Sequence, residues 1–122
     1  MPQVAVVDDD PRIRALLQEE LEDEGIDANL CASGLELFKL LESQPIDLIL
    51  LDLMMPEMDG IECLYRLRQI DFRGRVLIVT ALSDDQKRRE ALEAGADEYI
   101  LKSDLFDRLP MLLERYSPSA PP

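Results

Sequence analysis

Short apolar runs alternate along this chain with longer stretches in which apolar residues recur every three to four positions. The runs are Gln3–Val7, Ile26–Leu30, Ile46–Leu51, Arg75–Thr80 and Glu98–Leu101. Segments such as Val76–Val79 are apolar without alternation, the pattern of a strand covered on both faces. Between the runs the spacing predicts helices. Asp10 reads as an N-cap and Pro11 as a first helical residue, with Ile13, Leu16, Leu17 and Leu21 forming one stripe. Ser33 with Glu36 reads as a capping box, Leu37, Phe38, Leu40 and Leu41 supply the buried face, and Pro45 stops that helix. Gly60 opens a third helix with Ile61, Leu64 and Leu67 inward. Ser83 with Gln86 caps a charged fourth helix that Gly95 closes. Pro110 predicts a break in the last helical segment, giving a short turn after Asp104 and then a helix from Pro110 to Tyr116.

Five strands alternating with five helices predict an α/β fold, a doubly wound five-stranded parallel sheet of order 2-1-3-4-5 with helices on both faces. Residues 1–116 form the expected domain, and Ser-Pro-Ser-Ala-Pro-Pro at 117–122 reads as a linker-like or disordered tail. In such a sheet all strands end on one edge. The crevice between strands 1 and 3, where the order reverses, is where ligands bind.

Composition narrows the function. Thirteen Lys and Arg against twenty-six Asp and Glu give a net charge of −13, which argues against a general nucleic-acid binder. The chain has no histidine, which excludes histidine acid–base catalysis and histidine metal sites. Cys31 and Cys63 match no zinc pattern and read as reduced core cysteines of a cytoplasmic protein. No apolar run is long enough to span a bilayer, and no signal-peptide pattern opens the chain.

The strand ends carry the chemistry. Strand 1 delivers Asp8 and Asp9, strand 3 Asp52, strand 4 Thr80 and strand 5 Lys102. Strands 1 and 3 are neighbours in the expected order, so the three carboxylates converge. Close carboxylates repel unless a cation joins them or some are protonated. An oxygen-only, open site points to Mg²⁺. A carboxylate can serve as nucleophile toward phosphorus, and Asp52 is the central one. Thr80 and Lys102 stand on its other side as a hydrogen-bond donor and a positive charge for phosphoryl oxygens.

The segments Val6–Pro11, Leu48–Gly60, Val76–Ala81 and Gly95–Lys102, in this order and spacing, resemble the response regulator receiver domain, the phospho-acceptor half of two-component signalling. The resemblance covers residues 4–102 and implies a flavodoxin-like, chemotaxis-regulator-like fold. It implies that Asp52 accepts a phosphoryl group from a histidine kinase or phosphotransfer protein. It also implies Mg²⁺ binding by Asp9, Asp52 and the backbone carbonyl of Met54, with Asp8 direct or through water. Thr80 and Lys102 would contact the phosphoryl oxygens, and Tyr99 would turn inward when Thr80 moves. A downstream effector would read the face made by the fourth helix, fifth strand and fifth helix, with a homodimer left open. The family usually has proline after the lysine, often in a cis peptide; here the residue is Ser103. A cis bond there would cost about 2.5–4 kcal/mol, so the reach of Lys102 is open.

Other readings compete. Asp10 is best taken as a helix cap, Tyr99 alone as a packing aromatic, and Met58 as core filler. The aspartate run is no calcium loop, since Arg12 stands where an acid is needed. An aspartate-nucleophile phosphatase needs an acid two residues after Asp52, where this chain has Met54. A receiver-like interaction module that never uses phosphorylation is the remaining alternative.

Overall fold

The computed structural model describes residues 2–116. The elements run β1 (Val4–Val7), α1 (Pro11–Asp23), β2 (Asn29–Cys31), α2 (Gly34–Ser43), β3 (Leu48–Asp52), α3 (Gly60–Gln69), β4 (Arg75–Thr80), α4 (Asp85–Glu93), β5 (Glu98–Leu101) and α5 (Lys102–Arg115). All strand pairs are parallel and the order is β2-β1-β3-β4-β5, as expected.

Strand residues alternate between two cores. Ala5, Val7, Ile49, Leu51 and Ile78 pack with Leu37, Cys63, Leu64 and Leu67 beneath α2, α3 and α4. Val4, Val6, Leu48, Leu50, Leu77, Val79 and Ile100 pack with Leu17, Leu21, Leu105, Leu109 and Leu112 beneath α1 and α5. Because β1, β3 and all of β4 after Arg75 are buried on both sides, these strands are apolar up to the polar residues at their ends. Each fully buried aliphatic side chain contributes about 1.5–3 kcal/mol. Among the described residues no helix is long and apolar enough to cross a membrane. The expected tail at 117–122 lies outside the described residues.

Several local expectations are corrected. The second strand is Asn29–Cys31 rather than Ile26–Leu30. Ile26 belongs to the close of α1: its N–H donates to the Leu21 carbonyl at 2.8 Å after Gly25 turns the chain at φ 78°. Its side chain is buried with Leu17 and Leu21, so it serves as the helix's hydrophobic stop. The third strand begins at Leu48, because Asp47 is engaged with Gln3, accepting its N–H at 2.7 Å. Leu16 is 47% exposed, so the α1 stripe is narrower than the sequence suggested. α4 is capped by Asp84, whose carboxylate accepts from the Lys87 N–H at 3.0 Å, and not by Ser83.

The largest correction is α5. It runs unbroken over 14 residues with Pro110 inside. Proline removes the N–H that would bond to the carbonyl of Phe106. Both Pro110 and Phe106 are exposed, so water can satisfy that carbonyl, while Leu105, Leu109, Leu112 and Leu113 stay buried across the position. Packing on one face holds the helix together through the missing bond. The described chain has no cis peptide bond, so Lys102–Ser103 is trans.

Candidate functional site

Parallel register builds the site. β1 and β3 are paired with Val7 opposite Leu51, so the next residues, Asp8 and Asp52, leave neighbouring strands side by side. Asp9 follows in the turn into α1. One carboxylate oxygen from each of Asp8, Asp9 and Asp52 lies within 4.8 Å of the others. Asp8 and Asp52 are buried, and Asp9 is exposed. Lys102, the first residue of α5, reaches over the edge of the sheet. Its Nζ lies 3.0 Å from Asp8 Oδ2 and 3.6 Å from Asp52 Oδ1. The trans peptide after it does not withhold the ammonium from the site.

The electrostatics suit the binding of a cation. Burial, then the Asp8 carboxylate, pushes the Asp52 carboxyl up to about 6, against the pull of Lys102 and the Met54 backbone N–H. Burial alone would lower the Lys102 amine, but hydrogen bonding to Asp8 and the charge of Asp52 carry it above its ordinary value. One lysine offsets only part of three carboxylates. All the donors are oxygens and Asp9 opens to solvent, a set suited to a hard divalent ion that keeps some of its water.

Thr80 closes β4 and is fully buried. Its Oγ1 accepts from the Leu82 N–H at 3.1 Å. The Tyr99 hydroxyl donates to the Leu82 carbonyl at 2.6 Å. Thr80 and Tyr99 are thus joined through one residue of the β4–α4 loop. Met54 lies two residues beyond Asp52, with its side chain 60% exposed. The strand-end residues expected from the sequence are therefore on one edge, with Tyr99 set back within β5.

Two contributors to the site carry no signal in the sequence. In the sequence Gly60 marks only the start of α3. A Cβ there would stand 2.7 Å from the Asp52 backbone oxygen, so the bare backbone of Gly60 lets α3 press against the loop behind that acid. Its N–H donates to the Leu53 carbonyl at 2.9 Å, and Asp59 caps the helix by accepting from the Glu62 N–H. Arg14 also reaches the site: its Nη1 donates to the Asp8 carbonyl at 2.7 Å. Its place four residues into α1 carries no local signal of that contact.

Comparison with known proteins agrees with this geometry. Residues 4–114 match the family model described as the response regulator receiver domain. The transcriptional regulatory protein SrrA of Staphylococcus aureus is 39% identical over 100 residues, covering 82% of this chain and 41% of SrrA. The chain thus spans about two-fifths of that curated relative. A Francisella response regulator receiver domain superposes with a TM-score of 0.83 at 34% identity, covering 94% of this chain and 98% of that one. The Thermotoga maritima response regulator TrrA, solved in complex with Mg²⁺ and BeF, gives a TM-score of 0.84 at 35% identity, covering 95% and 99%. The order of the strands, the acids that end them and the match along nearly the whole sheet lead to one conclusion: this chain belongs to the response regulator receiver domain family of two-component signalling.

Proposed function

We propose that Asp52 accepts a phosphoryl group, with Mg²⁺ held by Asp8, Asp9, Asp52 and the backbone carbonyl of Met54. The observation that carries this reading is the position of Asp52, clustered with the two acids of the β1 end and 3.6 Å from the Lys102 ammonium. Mg²⁺, when bound, supplies charge neutralisation for the acids and for the phosphoryl oxygens. With its carboxyl at about 6, Asp52 is largely ionised at neutral pH and can attack phosphorus. The new P–O bond forms as the P–N bond of a phosphohistidine donor breaks, and the donor nitrogen keeps the electron pair. Membership of the receiver family supports a histidine kinase or phosphotransfer protein as the donor.

Lys102 is placed to transfer its contact from carboxylates to a phosphoryl oxygen. Thr80 would turn its hydroxyl to another. Because Leu82 contacts both Thr80 and Tyr99, that turn would be felt at Tyr99, and so on the α4–β5–α5 face that a downstream effector reads. Residues 1–116 would be the receiver unit, working in the cytoplasm as a switch and not as a turnover enzyme. The absence of an acid at Met54 disfavours phosphatase chemistry.

The test is intact mass after incubation with a small acyl phosphate and Mg²⁺. One added phosphoryl group is expected in the unmodified chain and none without Mg²⁺. No uptake under conditions that bind Mg²⁺ would favour the phosphorylation-independent module.

A further inference from the structure

Asp8 is tied down at four points, and one of them has no role in the reading above. Its N–H donates to the Cys31 carbonyl at 3.1 Å. Its Oδ1 accepts from the Asp10 N–H at 2.9 Å, and its Oδ2 meets Lys102 at 3.0 Å. Its backbone carbonyl accepts from Arg14 Nη1 at 2.7 Å, the shortest of the four. That carbonyl belongs to the peptide joining Asp8 to Asp9.

Asp9 is the exposed member of the carboxylate group. Burial does not fix where its carboxylate points, so its direction depends on the backbone. The Asp8–Asp9 peptide is anchored on its N-terminal side by β1 and on its C-terminal side by α1, whose N-cap is Asp10. Arg14 comes from the second turn of that same helix and grips the peptide between these anchors. The guanidinium is partly buried, so the bond is a charge-assisted one with limited competition from water.

We propose that Arg14 is a positioning residue for the cation: by holding the Asp8 carbonyl it fixes the Asp8–Asp9 peptide and aims the Asp9 carboxylate at the ion. Arg14 touches neither the ion nor the phosphoryl group, and it acts through the backbone of its neighbours. The inference rests on the reading that these acids bind Mg²⁺. Groups behind metal ligands commonly change affinity by 10–100-fold when removed.

The experiment is isothermal calorimetry of Mg²⁺ alone into the full chain and its variants, with melting in EDTA as the fold control. Arg14→Ala is expected to weaken Mg²⁺ binding about tenfold, and Arg14→Lys, which keeps a charged donor, to recover much of the loss. Phosphoryl uptake from an acyl phosphate by Arg14→Ala should return to the unmodified rate once Mg²⁺ is raised to saturation. Arg14→Met, which keeps a long side chain without donors, gives the same answer if the alanine variant does not fold. Unchanged Mg²⁺ affinity in a folded Arg14→Ala or Arg14→Met would overturn the proposal, whatever happens to the melting temperature. So would uptake that stays slow at saturating Mg²⁺. Failure of the unmodified chain to bind Mg²⁺ would instead remove the phospho-acceptor reading on which the proposal stands.

Discussion

Lys102 Nζ lies 3.0 Å from Asp8 Oδ2, although Lys102 opens the helix after β5 and Asp8 follows β1, three positions away in the sheet. The contact closes the acid pocket from the β5 side. Removing the ammonium leaves two buried carboxylates facing each other, since Asp8 and Asp52 both depend on it. Hydrogen bonds to charged groups contribute about 1.5–3 kcal/mol. Lys102→Met should therefore destabilise the metal-free protein by about that amount at pH 8, read from urea denaturation in EDTA. Part of the loss should be regained on adding Mg²⁺, which takes over the neutralisation.

Asp52 gives a pH dependence with a definite sign. Its folded carboxyl is raised from 3.8 to about 6, first by burial and then by Asp8. The group therefore favours the folded state when protonated. That contribution is complete below the unfolded value of 3.8 and is lost as pH rises through about 6. At about 1.4 kcal/mol per unit, the loss is on the order of 3 kcal/mol by pH 7. Asp52→Asn should thus be more stable than the unmodified chain at pH 7–8 without metal, and the two should converge near pH 4. Mg²⁺ at pH 8 should raise the melting temperature of the unmodified chain more than that of the variant. Equal pH profiles for the two proteins would contradict this account of the pocket.

Gly60 predicts a steric effect on the acceptor from outside the pocket. A methyl group there meets the Asp52 carbonyl oxygen at 2.7 Å and the Leu53 Cα at 2.9 Å, both backbone atoms that cannot rotate away. Overpacking of this kind costs about 1–3 kcal/mol. Gly60→Ala should lower stability by that amount and slow phosphoryl uptake by displacing Asp52. Chemical denaturation and single-turnover uptake measure the two effects separately.

Tyr99 should be separable from the chemistry. Its hydroxyl bonds to the Leu82 carbonyl, and Leu82 in turn bonds to Thr80. Tyr99→Phe removes one hydrogen bond, worth about 1 kcal/mol. Phosphoryl uptake should stay near the unmodified rate. The change in α4–β5–α5 amide shifts on phosphorylation, followed by NMR, should shrink. Full retention of those shifts would assign the coupling to another path.

The legible and illegible parts of this chain differ by physical cause. Strand order and the strand-end acids could be read because buried parallel strands are apolar on both sides and stop at a charge, as Leu51 gives way to Asp52. β2 was misplaced because Ile26 is equally apolar as a strand residue or as the stop of α1. Pro110 misled because its effect depends on which side of the helix it faces, and the exposed carbonyl of Phe106 tolerates it. Asp84 took the cap from Ser83, a choice of one position between two good capping residues. Arg14 and Gly60 act by reach and by close approach, which only three-dimensional neighbours reveal.

The central claim is that the phosphoryl group is carried by Asp52. Borohydride reduction of the phosphorylated chain converts an acyl phosphate to an alcohol, and peptide mass spectrometry then locates it. Reduction confined to residue 52, dependent on Mg²⁺, is the predicted result. Reduction at Asp8 or Asp9, with Asp52 intact, would contradict the account.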